Sequence, residues 1–343
     1  MTGLLLLTAL AAEDIEGTGL YLWDRTLGEI ELVAAPPAEG LAFVSELSWS
    51  PDGRALVFSA GPSEEAVWTV TPETRLFAVD VAAGPAGVEV LPIRPLGAGG
   101  RPRHGPDGRL LFVRWDDGVA RVHSGDPAGR AEVLADGMAA ECLAGDRPGV
   151  AVFDQMPEPG SVVVVDDRGT SPPLPIGEGV YSVGSAGGRL LLCRAGSSGE
   201  LSGTVERSAL TWRGGEALPE ADWRVVAETP RSSNELFVSA AAAADSPQAF
   251  GVRLRIDADD ETFSSAVVGL RRTGVVGDGD ARRTILRTPP GFVITRFAAA
   301  PGGRLAAFTS NLVYADPEEA VRKDGSPLEA GDFVVPPVVA LEP

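Results

Sequence analysis

Five side chains able to do chemistry stand at matching places before a repeating polar turn. The turn is Ser-Pro-Asp-Gly at 50–53, and related turns carry their glycines at Gly108, Gly188 and Gly303, with a weaker copy at Gly149. Counting back seven residues from Gly53, Gly108, Gly188 and Gly303 gives Glu46, Arg101, Tyr181 and Arg296, and one further step back from Gly149 gives Glu141. The turn repeats while these residues differ in kind, as expected of a ligand-facing ring at the mouth of an axial channel; drift on a solvated rim would give the same variation. As a ring, Arg101 and Arg296 supply planar forks of donors for a partner carboxylate, and Tyr181 adds an amphipathic contact.

Other chemistries find little support. The dense acidic clusters are DADDE at 257–261 and GDGD at 277–280, and neither completes a calcium loop. In the first, Thr262 stands where the central glycine belongs and Val268 where the bidentate Glu belongs. Cys142 and Cys193 are 51 positions apart and the two histidines are His104 and His123, so no metal set forms and buried free thiols are expected. No G-x-S-x-G elbow occurs, and His104, beside a turn, reads as a surface residue. Asp52 and Asp107 read as turn formers, because Gly187 and Gly302 replace them in other copies. The six tryptophans fall mostly in or beside strands, where packing is their expected use. No catalytic residue, metal or cofactor is assigned.

Charge narrows the partners further. The net charge of −19 repels nucleic acid phosphates and anionic membrane surfaces, and the run Arg271, Arg272, Arg282, Arg283 and Arg287 reads as a solvated face.

The elements that must position the ring follow from the turn. Ser50 can accept from the backbone that follows, Pro51 presets φ, and Gly53 supplies a position where φ is often positive, so a hairpin is expected. Short runs apolar on both faces follow the turns, as at Ala55–Phe58, Leu110–Val113, Leu190–Cys193 and Leu305–Phe308. A strand with no polar alternation is covered on both sides. A second hairpin with an Asp- and Gly-containing turn follows several of these runs, completing a four-stranded antiparallel unit. The turn glycines are spaced by 55, 41, 39 and 115 residues, the last close to two units. Repeats of this length whose faces cover one another around an axis predict an all-β fold, a β-propeller of four-stranded antiparallel blades. The count is seven blades, with six the alternative. The chain reads as one propeller domain over 1–343, with repeats at about 3–40, 43–95, 101–137, 138–179, 180–229, 231–290 and 291–343.

The segments SPDGRALVF and GPDGRLLFV, followed by FAVD and VVVVDD strands, resemble the WD40-like repeats of TolB-type propellers, most closely over 43–193. That resemblance implies architecture and transfers no catalytic residue. It implies a non-enzymatic protein, a monomer, that binds a protein, peptide or glycan on one loop face. The alternative is a metal-dependent hydrolase or lyase of the lactonase type with its site in the axial funnel. The apolar run Leu4–Ala12 lacks a positive leading region and reads as a strand rather than a signal segment, which favours a cytoplasmic over an exported location.

Overall fold

The computed structural model describes residues 17–34, 38–84, 87–143, 149–156, 159–167, 169–186, 189–195, 203–208, 224–228, 235–242, 249–257, 262–270, 284–288 and 292–311. Among the described residues the first elements are the hairpin strands β1 (Gly19–Asp24) and β2 (Glu29–Ala34). A sheet follows from β3 (Phe43–Trp49), β4 (Ala55–Gly61), β5 (Arg75–Gly84), β6 (Gly87–Val90) and β7 (Arg94–Ala98), with β6 and β7 both paired to β5. The next holds β8 (Gly100–His104), β9 (Leu110–Asp116), β10 (Val119–Gly125) and β11 (Ala131–Asp136). Then come β12 (Ala139–Leu143), β13 (Gly149–Phe153), β14 (Ser161–Asp166), β15 (Gly169–Thr170) and β16 (Leu174–Pro175). A further sheet holds β17 (Val180–Ala186), β18 (Arg189–Ala195), β19 (Gly203–Ser208) and β20 (Arg224–Glu228). It is followed by β21 (Glu235–Ala242), β22 (Ala249–Asp257), β23 (Thr262–Leu270) and β24 (Thr284–Arg287), and finally by β25 (Ile294–Ala299) and β26 (Leu305–Ser310).

These strands form six antiparallel sheets among the described residues, and the count of seven is corrected. The cause is closure. β1 pairs β26 from Gly19↔Ser310 to Asp24↔Leu305, so the first and last repeats, counted separately along the chain, are two halves of one sheet in the order β2-β1-β26-β25. The apolar run 4–12 and most of both acidic clusters lie outside the described residues.

The innermost strands β3, β8, β12, β17, β21 and β25 each touch the next, and β25 returns to β3, closing a ring around an axis. The molecule is an all-β propeller. β1 shows why its strands are apolar on both faces: Leu20 and Leu22 enter the core shared with β3 and β4, whereas Tyr21 and Trp23 enter the core shared with β21 and β22. Alternation with period two sends successive side chains to opposite faces, and here both faces are covered. Each such large side chain stabilises the fold by about 1.5–3 kcal/mol on burial.

The turn chemistry is as its residues require. Gly53 N–H donates to Ser50 O (2.9 Å), Ala55 N–H donates to Ser50 Oγ (2.9 Å), and Asp52 Oδ1 accepts from Ser50 Oγ (2.6 Å) and Arg54 N–H (3.1 Å). Gly53 has φ +69°, a left-handed conformation that glycine adopts without steric cost. Asp52 therefore serves the hairpin.

Candidate functional site

The inner strands are not regular. Register shifts interrupt β3 between Val44 and Leu47, β8 between Gly100 and Arg103, β17 between Val180 and Ser182, β21 between Phe237 and Ser239, and β25 between Ile294 and Arg296. A bulge inserts an unpaired residue and re-aims its neighbours, and such bulges collect beside functional sites. The sequence ring coincides with them: Glu46, Arg101 and Tyr181 lie inside the shifts and Arg296 at the edge of one. β12 runs in unbroken register, with Glu141 opposite Ala151. Arg101 also holds φ +51°, an uncommon conformation for a bulky side chain.

Four of the five ring residues come together, with a fifth charge that the turn count did not select. Glu46 Oε1 accepts from Arg296 Nε at 2.8 Å and lies 3.8 Å from an Arg101 guanidinium nitrogen. Glu46 Oε2 accepts from Arg103 Nη2 at 2.8 Å. Arg103 Nε then donates to Glu141 Oε1 at 2.6 Å, and Ser185 Oγ donates to Glu141 Oε2 at 2.9 Å. The network thus runs β25–β3–β8–β12–β17. Tyr181 stays apart, because its hydroxyl donates to the backbone carbonyl of Phe237 and its ring packs in the apolar core.

The networked groups form the floor of the channel and not a solvated mouth: Glu46, Arg101, Glu141 and Arg296 are all buried, as is Tyr181 in the core beside them. Glu46, Arg101 and Arg296 reach this position from bulged strands, whereas Glu141 reaches it from a strand in unbroken register. Arg103 was missed because the count selected one residue per strand. Period two alone would not have placed it, since the bulge between Gly100 and Arg103 breaks the strand's alternation there.

Burial favours the neutral form of a carboxyl, and the two glutamates answer it differently. At Glu46 the fields of Arg296, Arg103 and Arg101 overcome burial and hold the carboxyl well below the usual carboxylate range. At Glu141 burial prevails over Arg103 and Ser185 and pushes the carboxyl up. Burial opposes the charge on Arg103, yet Glu141 and Glu46 hold its guanidinium above the ordinary range, while burial brings Arg101 down to about 10.

Above this floor opens a small funnel of about 100 Å³, open to solvent and lined from the six inner strands. Its lining comes mostly from the later halves of these strands, which places it on the side where they pass into the repeating turns. One wall is polar, with Glu46, Ser48, Arg103, His104, Glu141 and Ser185. β21 and β25 add small or apolar groups, among them Ala240, Ala241, Ala298 and Ala299, beside Ser239 and Arg296. Ser48 Oγ accepts from the His104 N–H at 2.8 Å and lies 3.2 Å from His104 Nδ1, tying β3 to β8. His104 is thereby part of the wall, and burial lowers its pKa and keeps the ring neutral at pH 7.

With both glutamates ionised, three guanidiniums face two carboxylates. All five groups belong to the described residues of a protein of net charge −19, and Arg103 and Arg296 line the funnel itself. A site of this composition suits an anion. Among the described residues no group of three or more His, Cys, Asp or Glu side chains is placed to hold a metal ion.

Neither a protein-family model nor a curated protein matches the sequence. Among solved structures, the putative TolB from Agrobacterium tumefaciens is similar over 85% of this chain and 97% of its own, at 14% identity and a TM-score of 0.54. TolB from Acinetobacter baumannii aligns over 89% of this chain and 67% of its own, at 12% identity and a TM-score of 0.43. A putative 6-phosphogluconolactonase from Bacteroides uniformis aligns over 93% and 97%, at 12% identity and 0.46. At such identities the likeness concerns the fold alone. The chain is a β-propeller whose architecture is similar to that of TolB.

Proposed function

We propose that this protein is a binding propeller that takes a carboxylate of a protein, peptide or glycan partner into its axial funnel. The observation that carries the reading is the convergence of Arg103 and Arg296 on the funnel, with 18% of the Arg103 side chain exposed to it. Planar guanidinium forks recognise carboxylates through charge-assisted hydrogen bonds, which strengthen where water is excluded. The alanines of β21 and β25 leave room for the body of a ligand whose charged end meets the polar wall. A hydrolase working through a metal ion would need converging ligands, and no such group of side chains is found among the described residues.

The test is thermal unfolding in the presence of paired probes. An alanine tetrapeptide with a free C-terminus is compared with its C-terminal amide, and a galacturonate trisaccharide with its methyl ester. A ligand that binds only the folded state stabilises it by about 2.7 kcal/mol at a concentration one hundred times its Kd. The expected result is that at least one free acid raises the melting temperature while its uncharged partner does not. Equal responses to both members of each pair, or none to any, would contradict the assignment.

A further inference from the structure

The two carboxylates of the floor are held unequally. Glu46 touches three guanidiniums from two strands, whereas Glu141 touches one guanidinium and one hydroxyl. Arg103, the residue they share, is also the network's most accessible cation, with 18% of its side chain exposed against 4% for Arg101 and 6% for Arg296. Arg103, Glu141 and Ser185 all line the funnel, as does the more deeply buried Arg296, whereas Arg101 contacts Glu46 without lining it. An anion entering the funnel therefore meets Arg103 beside Glu141.

We propose that Arg103 is the residue that receives the ligand carboxylate and that Glu141 takes up one proton as it arrives, so that anion binding in the funnel is coupled to proton uptake. This rests on the carboxylate reading above and adds its mechanism. Two carboxylates in contact cannot both stay ionised, and the weaker-held one takes the proton. The balance is simple: one ligand anion and one proton from solvent enter together, and the net charge of the site is unchanged. Protonated Glu141 becomes a hydrogen-bond donor toward the anion.

The surroundings of Glu141 leave it as the group that responds. β8 brings Arg101, Arg103 and His104, β3 brings Glu46, and β25 brings Arg296 against Glu46. β17 brings Ser185, and β13 sets Ala151 opposite. β9 and β18 face β12 with Leu111, Val113, Leu190 and Leu192, which carry no charge. On β12 itself burial pushes the Cys142 thiol up to about 12, so it stays neutral. Burial already favours the protonated form of Glu141, whereas the three guanidiniums hold Glu46 ionised.

The experiment is isothermal titration calorimetry of the full chain with the free-acid tetrapeptide and the galacturonate trisaccharide, in buffers of different ionisation enthalpy. For whichever probe binds, the expected result is uptake of one proton per ligand at neutral pH, with affinity weakening about tenfold per pH unit above the pKa of Glu141. Glu141→Gln, which mimics the protonated residue, is expected to bind at least as tightly with no uptake and a flat pH profile. Binding to the wild type without proton uptake would overturn the coupling while leaving the carboxylate site standing. Binding of neither probe to either protein would overturn both.

Discussion

Glu46 and Glu141 are chemically identical and structurally opposite. Removing Glu46 leaves three buried guanidiniums around a neutral group, and breaking a buried ion pair from one side costs about 3–5 kcal/mol. Glu46→Gln is therefore expected to lose stability of that order in urea unfolding at pH 7, and Glu141→Gln distinctly less. The pH dependences have opposite signs. The folded-state pKa of Glu46 is depressed, so its contribution is present above the unfolded value and is lost only as pH falls through the folded one. That of Glu141 is raised, so wild-type stability falls relative to Glu141→Gln as pH rises from the unfolded value through the folded one. Parallel urea titrations from pH 4 to 7 are expected to show that fall for Glu141, with the Glu46 contribution still largely present at the acidic end. At this scale Glu46, Arg101, Glu141 and Arg296 were legible from their spacing before the turn. Tyr181 was not separable from them, because the carbonyl that holds its hydroxyl belongs to Phe237 in the next sheet, 56 positions away.

At the level of elements, the hairpins were legible because Ser, Pro, Asp and Gly act locally, each through its own φ or its own hydrogen bond. The bulges were not, since an extra residue in an inner strand is visible only against the partner strand it fails to pair. Packing between neighbouring inner strands was hidden for the same reason. Gly184 on β17 lies so close to β21 that a Cβ added there would stand 2.0 Å from the carbonyl oxygen of Ala240. That oxygen is backbone and cannot swing aside. Gly184→Ala is expected to cost at least the 1–3 kcal/mol or so typical of overpacking, and to loosen the funnel wall where Ser185 meets Glu141. Gly28→Ala is the control, since its added Cβ meets nothing within 4 Å and only its φ of +74° is strained. Equal losses in the two variants would contradict the packing account.

The whole molecule is closed by its ends. Asp24 of β1 accepts from Arg304 Nη2 at 2.7 Å and Nε at 3.1 Å, while Arg25 donates to Gly303 O at 2.8 Å, so the first strand is clamped to the last turn as well as hydrogen-bonded to β26. The sequence showed seven segments and could not show that two of them share a sheet, because that pairing spans nearly the whole chain. A fragment beginning at residue 35 would lack β1 and β2 and expose an edge of β26 together with apolar faces on both sides. It is expected to elute as an aggregate in size-exclusion chromatography; a folded monomer would contradict closure by these strands. Closure matters to function because it sets β25 against β3 and so brings Arg296 to Glu46 across 250 positions. The most direct test of the carboxylate site is a crystal structure of the full chain with a bound free-acid probe, tetrapeptide or galacturonate. The carboxylate is predicted on the Arg103 guanidinium, within hydrogen-bond distance of Glu141, with the ligand body against Ala240 and Ala298. A probe bound outside the funnel, or one whose neutral end enters it first, would contradict the account.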